Sequence, residues 1–174
     1  MDSKHSEIVA YNKEAWTGLV RASNRWTMPV GDQEISDARQ GIFNVVLTPE
    51  KVVPRDWFPE KGSSVLCLAS GGGQQVPVLA AAGYRVTSFD LTPLQLEADR
   101  VTCAKHGLEV SLVEGDMNDL SMFADETFDC VFNPCSTAFV PDVTRVYREV
   151  SRVLKPGGIF MTGWTKPVYY LFDI

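Results

Sequence analysis

"SSVLCLASGGGQQVPVLAAAG", residues 63–83, decides the fold class. Its first part, "SVLCLAS", is a continuous apolar run, as a strand buried on both faces should be. Three consecutive glycines follow, Gly71, Gly72 and Gly73. With no Cβ, the backbone there can turn sharply and lie close to a ligand. "QQVPVLAAAG" then reads as a helix, with Pro77 admissible near its first turn and Gly83 just past its end.

The same rhythm continues downstream. "YRVTSFD" reads as a second strand, and "LTPLQLEADRVTCAKHG" as a helix with Thr92 as N-cap, Pro93 in the first position and Gly107 as its stop. "LEVSLVEGD" and "TFDCVFN" are a third and a fourth strand. "PDVTRVYREVSRVLKPGG" is a long helix closed by a turn, and "IFMTGW" is a fifth strand. Strict alternation of strand and helix predicts an α/β fold: an open, mainly parallel sheet with helices on both faces.

Residues 1–61 are less regular and form an N-terminal helical arm before a core of residues 62–174. Ile8, Tyr11, Ala15, Leu19 and Val20 recur near helical spacing, which predicts a helix over 6–23. "DQEISDARQG" predicts a short helix stopped by Gly41. "LTPEKVVPRDWFPEKG" holds three prolines and reads as an extended segment laid over the domain.

Composition narrows the function classes. A chain of 174 residues with 45% hydrophobic content suits one globular domain. A net charge of −6 repels phosphate backbones, so no nucleic-acid partner is expected. No apolar run approaches the roughly 20 residues of a membrane span, and "MDSKHSEIV" lacks the blocks of a signal peptide. The expectation is a cytoplasmic protein without a membrane partner. Cys67, Cys103, Cys130 and Cys135 form no CxxC pair and suit reduced core thiols. His5 and His106 are too few and too scattered for a metal site.

In open parallel sheets, ligands bind beyond the carboxyl ends of the strands. The glycine turn lies there, and Asp90 ends the second strand, where a carboxylate can accept both hydroxyls of a ribose. An adenosine-type cofactor follows. The dinucleotide fingerprint G-x-G-x-x-G/A would need a small residue at position 76, where Val76 stands. That disfavours a nicotinamide or flavin cofactor and leaves an NAD(P)-binding oxidoreductase as the alternative. Beyond the third strand, in "VEGDMNDL", Asp116 can take the exocyclic amine of an adenine, with the Met117 amide facing a ring nitrogen. An isolated Gly-Asp commonly just caps a turn. In series with the glycine turn and Asp90, the binding role is favoured.

Four segments, "VLCLASGGGQQ", "VTSFDLTPLQLEAD", "VEGDMNDLSMFADETFDCVFN" and "VYREVSRVLKPGGIF", occur in this order within residues 63–164. Together they resemble the Rossmann-like S-adenosylmethionine-dependent methyltransferases of the small-molecule type. The resemblance implies strand order 3-2-1-4-5 and S-adenosylmethionine as cofactor, with S-adenosylhomocysteine as product. The methyl group would pass to a small-molecule acceptor that the sequence does not name. Ser70, Gly71 and Gly73 would surround the methionine end, Asp90 would hold the ribose, Asp116 with Met117 the adenine, and Leu91 would also belong to the cofactor site. Asn133 would lie near the reacting sulfonium. A module that holds the cofactor without transferring methyl groups is a further alternative.

Two departures stand out. Family members commonly carry an acidic residue and then a first glycine in the first-strand motif, and here Cys67 and Ala69 take those places. Loop waters, Gln74 or Gln75 are expected to replace the missing carboxylate's hydrogen bonds. The family also continues with a further helix and two strands, whereas this sequence ends at "KPVYYLFDI". That predicts a fragment, or self-association through the fifth-strand edge and the apolar residues Val168, Tyr169, Tyr170, Leu171, Phe172 and Ile174.

Methyl transfer is an in-line displacement served by positioning and water exclusion, so no catalytic residue is assigned. Asn133, Cys135, Ser136 and Thr137 in "NPCSTAF" lie near the mouth. Cys135 has no histidine nearby in sequence and reads as packing, not nucleophile. Aromatics at helical spacing are core residues by default. Family arms often close over the cofactor, which makes Tyr11, Trp16 and Trp26 candidates for a lid. The charges in "EADR" and "YREVSR" read as solvated helix faces with i, i+3 or i, i+4 pairs.

Overall fold

The "SVLCL" run becomes the central strand of a five-stranded parallel sheet in a computed structural model that describes residues 3–48, 51–69 and 71–164. Two short strands precede it, β1 (Val46–Thr48) and β2 (Lys51–Val52), paired antiparallel. The sheet itself consists of β3 (Ser64–Leu68), β4 (Arg85–Asp90), β5 (Ser111–Glu114), β6 (Phe128–Asn133) and β7 (Leu154–Thr162). Its order is β5-β4-β3-β6-β7, which is 3-2-1-4-5 counted from the first core strand. Leu66 sits between Thr87 of β4 and Val131 of β6, which fixes the register on both sides. Helices α1 (Ser3–Arg21), α2 (Asp32–Arg39), α3 (Gln75–Ala81), α4 (Pro93–Lys105) and α5 (Val143–Val153) complete the fold.

Alternation along each strand sends side chains to two cores. Val65, Cys67, Cys130 and Phe132 face one side, where Val76 and Leu79 of α3, Ile35 and Ala38 of α2 and Cys103 of α4 pack. Leu66, Leu68 and Val131 face the other, against Val146, Val150 and Val153 of α5. The arm is part of the first core: Phe43, Val45, Val53 and Phe58 belong to it. Phe58 stacks on Phe132 with ring centroids 6.1 Å apart. The proline-rich stretch therefore does more than lie over the domain. It carries the β1–β2 ribbon and a 3₁₀ turn at Arg55–Trp57, whose flanks are buried at Val53 and Phe58.

Two local expectations change. Thr92 flanks α4 as N-cap but makes no side-chain cap bond; Asp90 Oδ1 accepts the Thr92 amide at 2.8 Å instead. α5 ends at Val153, and "LKPGG" belongs to β7, not to a closing turn. Register shifts from Phe128↔Leu154 to Cys130↔Ile159, so extra residues bulge out around Pro156, which has no N–H to donate, and Gly157 at φ +78°. The thiols are all free, and Cys67, Cys103 and Cys130 are buried, as expected. The apolar residues within 168–174, on which the expectation of self-association rested, lie outside the described residues. Among the described residues, no helix is long and apolar enough to cross a membrane and no group of side chains could hold a metal ion.

Candidate functional site

The carboxyl ends of β3, β4, β5 and β6 open into a cavity of about 290 Å³. The glycine turn, Leu91 and Thr92 after β4, Gly115–Asn118 after β5 and Pro134–Ser136 after β6 line its floor. Ile8, Asn12 and Trp16 of α1, with Trp26 and β1, form its roof. Asn12 Nδ2 donates to the Phe139 carbonyl at 2.7 Å, and the Trp16 ring meets Phe139 edge-on at 5.5 Å.

Within the turn, Gly71, Gly72 and Gly73 all have positive φ, a region that residues with a Cβ adopt at a cost. Close approach makes the requirement stricter. A Cβ on Gly72 would meet Gln95 Oε1 at 2.1 Å, and one on Gly73 would meet Pro29 Cβ at 2.8 Å. Gly73 serves packing: its carbonyl accepts from the Val30 amide at 2.9 Å, and it is not a cavity-lining residue. Ala69, in the place of the family's first glycine, also takes a left-handed conformation, with φ at +52°.

The carboxylate missing at position 67 arrives from elsewhere. Asp99 of α4, fully buried, accepts the Gly73 amide and, at 2.6 Å, the Ser88 hydroxyl. Burial pushes the Cys67 thiol well up, and the neighbouring Asp99 charge adds to the effect, so Cys67 is a neutral core group. Gln74 has a different part from the one expected: its Nε2 donates to the Arg25 and Met28 carbonyls at 3.1 Å each and ties the arm to the turn, while Asp99 takes the carboxylate's place.

Asp90 is only 7% exposed. Burial raises its carboxyl to about 6, against the opposing Thr92 amide bond. Asp116 Oδ1 accepts from the amide and side-chain nitrogens of Asn118, both at 3.0 Å, and Oδ2 lies 2.6 Å from His5 Nε2 of α1. Lys13 of α1 pairs with Glu114.

Of the residues expected at the site, Gly71, Asp90, Leu91, Asp116 and Met117 line the cavity together. Asn133 is buried behind it, where Nδ2 donates to Leu68 O at 3.0 Å and to Ser136 Oγ at 2.5 Å, and Oδ1 accepts from Thr162 Oγ1 at 3.2 Å. It stitches β3, β7 and the loop after β6. Ser70 lies outside the described residues. Cys135 and Ser136 line the cavity and Thr137 does not. Burial raises the Cys135 thiol, which keeps it protonated and unreactive near neutrality. Trp16 and Trp26 lie at the roof, whereas Tyr11 is 72% exposed.

Several contributors were not read from the sequence or, like Gln75, were expected in another role. Gln75 Oε1, Gln95 Oε1 and Asn118 Oδ1 are buried acceptors without a partner among the described residues, and all three residues line the cavity. Arg152 donates to the carbonyls of Leu120 and Phe123, both at 2.9 Å, and pairs with Glu149 and Asp125. The expected i, i+3 pair on α5 thus forms, and the same guanidinium fastens the loop that follows Asp116. The lining holds two carboxylates, Asp90 and Asp116, beside the three unpartnered oxygens, and no Lys or Arg is among its described lining residues. Such a site suits a ligand rich in hydrogen-bond donors or carrying positive charge.

Comparison with known proteins agrees with this architecture. Residues 66–162 match the family described as "Methyltransferase domain". A protein of Bacillus subtilis (strain 168), described as "Uncharacterized methyltransferase YbaJ", is 48% identical over 95% of this chain and 66% of its own length. The PH0226 protein from Pyrococcus horikoshii OT3 superposes with a TM-score of 0.58 at 33% identity, covering 67% of this chain and 51% of that one. A SAM-dependent methyltransferase from Aquifex aeolicus shares the fold at 21% identity, TM-score 0.53, covering 59% of this chain and 56% of that one. The chain thus spans less than two thirds of the length of each of these proteins.

Proposed function

The chain belongs to the methyltransferase-domain family of S-adenosylmethionine-dependent enzymes, and we propose that it binds S-adenosylmethionine in the cavity at the carboxyl edge of its sheet and methylates a small molecule. The observation that carries this reading is the set of oxygens lining the cavity: the carboxylates of Asp90 and Asp116 and the unpartnered buried acceptors of Gln75, Gln95 and Asn118. The cofactor offers the complement, namely two ribose hydroxyls, an exocyclic amine, an ammonium group and a positively charged sulfur. A buried acceptor left unsatisfied costs about 1–3 kcal/mol, which a donor-rich ligand would recover.

Asp90 would accept the ribose hydroxyls, Asp116 the adenine amine, and the bare turn at Gly71 would approach the methionine part. When bound, the cofactor supplies a methyl group activated on a cationic sulfur. The protein's own contribution is to hold the reactants and exclude water. The protonated Cys135 thiol offers no base near neutrality, and Asn133 acts by fixing the Ser136 loop.

Calorimetry with S-adenosylhomocysteine and, separately, with NAD tests the reading. Micromolar binding of S-adenosylhomocysteine and no heat with NAD is expected. Binding of NAD alone would replace the proposal with the oxidoreductase alternative.

A further inference from the structure

The cavity is chemically divided along the strand order. The acceptor oxygens cluster after β5, β4 and β3, at Asp116, Asp90 and the helices that begin beyond the glycine turn and β4. Past β6 the same cavity continues toward β1, whose Leu47 carbonyl lies so close to Gly163, just beyond β7, that a Cβ there would sit 1.9 Å from it. This end is lined by Leu47, Thr48, Trp16, Ser136, Phe139 and Val140. None of these side chains is charged. Among the described lining residues there is no cation to neutralise a carboxylate or a phosphate, and the net charge of −6 opposes their approach.

We infer that this end is the acceptor chamber and that its occupant is an uncharged, largely apolar small molecule. The inference rests on the proposed cofactor site, which fills the other end of the cavity. Anionic metabolites are excluded because an unpaired charge in such a chamber would lose its hydration without replacement. A polymer would have to displace α1, which roofs the chamber through Asn12 on the Phe139 carbonyl and Trp16 on the Phe139 ring. Trp16 is the residue that shapes specificity: it presents a flat apolar face from a helix that has no fully buried residue, so its replacement leaves the sheet core intact.

The test is a calorimetric titration of the chain, saturated with S-adenosylhomocysteine, with naphthol and with naphthoate, which share a ring system and differ in charge. Naphthol should bind at least about tenfold more tightly. Trp16→Ala should weaken naphthol about tenfold more than it weakens S-adenosylhomocysteine. Thr48→Arg, a second variant on a different element and outside both cores, should shift preference toward naphthoate. Equal or tighter binding of naphthoate by the unaltered chain, or naphthol affinity indifferent to both substitutions, overturns the inference. Binding of S-adenosylhomocysteine without naphthol selectivity removes the chamber alone. Naphthol selectivity without any S-adenosylhomocysteine binding removes the cofactor reading and leaves the apolar chamber.

Discussion

Asp90 stays protonated to about pH 6 because burial disfavours its charge. In the unfolded chain an aspartate titrates near ~3.9. Between those values the folded state holds more protons, so rising pH removes stability over this window, on the order of 3 kcal/mol, and does not restore it above pH 6. Asp90→Asn should therefore be more stable than the unaltered chain at pH 7.5 and equal to it at pH 4, as urea unfolding at the two values would report. A constant difference across that range would refute the assignment. Because ribose hydroxyls favour the ionised form, S-adenosylhomocysteine should bind more tightly at pH 7 than at pH 5, and Asp90→Asn should lose at least about tenfold in affinity. Ala69, at φ +52°, argues in the same direction about strain: Ala69→Gly should stabilise the chain by about 1 kcal/mol, read from the unfolding midpoint. Cys67→Asp, the change that would restore the family's acid, should destabilise instead, since a second buried carboxylate would join Asp99 near Cys67. The double variant Cys67→Asp/Asp99→Asn should recover part of that loss, and a fully additive pair would deny that the two positions share one role. Asp90 and Asp116 were legible in the sequence because each ends a readable strand. Asp99 was not, because its partner Gly73 is 26 residues away and helical spacing alone does not say what a buried face touches.

At the scale of elements, α1 and α5 show opposite kinds of attachment. α1 has no fully buried residue, and its side-chain ties include His5 to Asp116, Asn12 to Phe139, Lys13 to Glu114 and Trp16 to Phe139. Two of these end on the acidic loop after β5 or on β5 itself. Backbone hydrogen bonds in an element with so little buried surface open locally at small cost. The α1 amides should exchange at least about 100-fold faster than those of α4 and slow when S-adenosylhomocysteine is added. Protection of α1 equal to that of α4 in the free chain would show that it is not a separately opening roof. The helix was readable from its spacing, but the partner of its apolar side was not: periodicity signals a face to be covered, and a cavity covers it as well as a core does. α5 packs Val146, Val150 and Val153 into the second core and projects Arg152 onto the Leu120 and Phe123 carbonyls. A charged residue near a helix end reads as solvated until the loop beneath it is known. The bulged start of β7 escaped the sequence for a similar reason, since Pro-Gly-Gly marks a break in regular pairing without saying on which side of it the strand begins.

For the whole molecule, the decisive feature is that the first core draws on both sides of residue 62. The rhythm of the sequence changes there because the parallel strands begin, yet Ile35, Phe43, Val45, Val53 and Phe58 pack in the same cluster as Val65, Cys67, Val76 and Phe132. Full burial of such side chains contributes about 1.5–3 kcal/mol each, so these five together approach the total stability of roughly 5–15 kcal/mol that a domain of ordinary size possesses. α1 adds none of that buried area. The energetic boundary should accordingly fall after α1, not at residue 62. A chain of residues 24–174 should keep one cooperative unfolding transition, coincident by far-ultraviolet dichroism and tryptophan fluorescence, with its midpoint modestly lowered and its affinity for S-adenosylhomocysteine reduced by loss of the roof. A chain of residues 62–174 should lose that transition and bind a dye for exposed apolar surface, because the face of β3 and β6 that carries Val65, Cys67 and Phe132 would be stripped of its cover. If the shorter chain unfolds cooperatively with the stability of the longer one, the arm is an appendage and the shared core has been given too much weight.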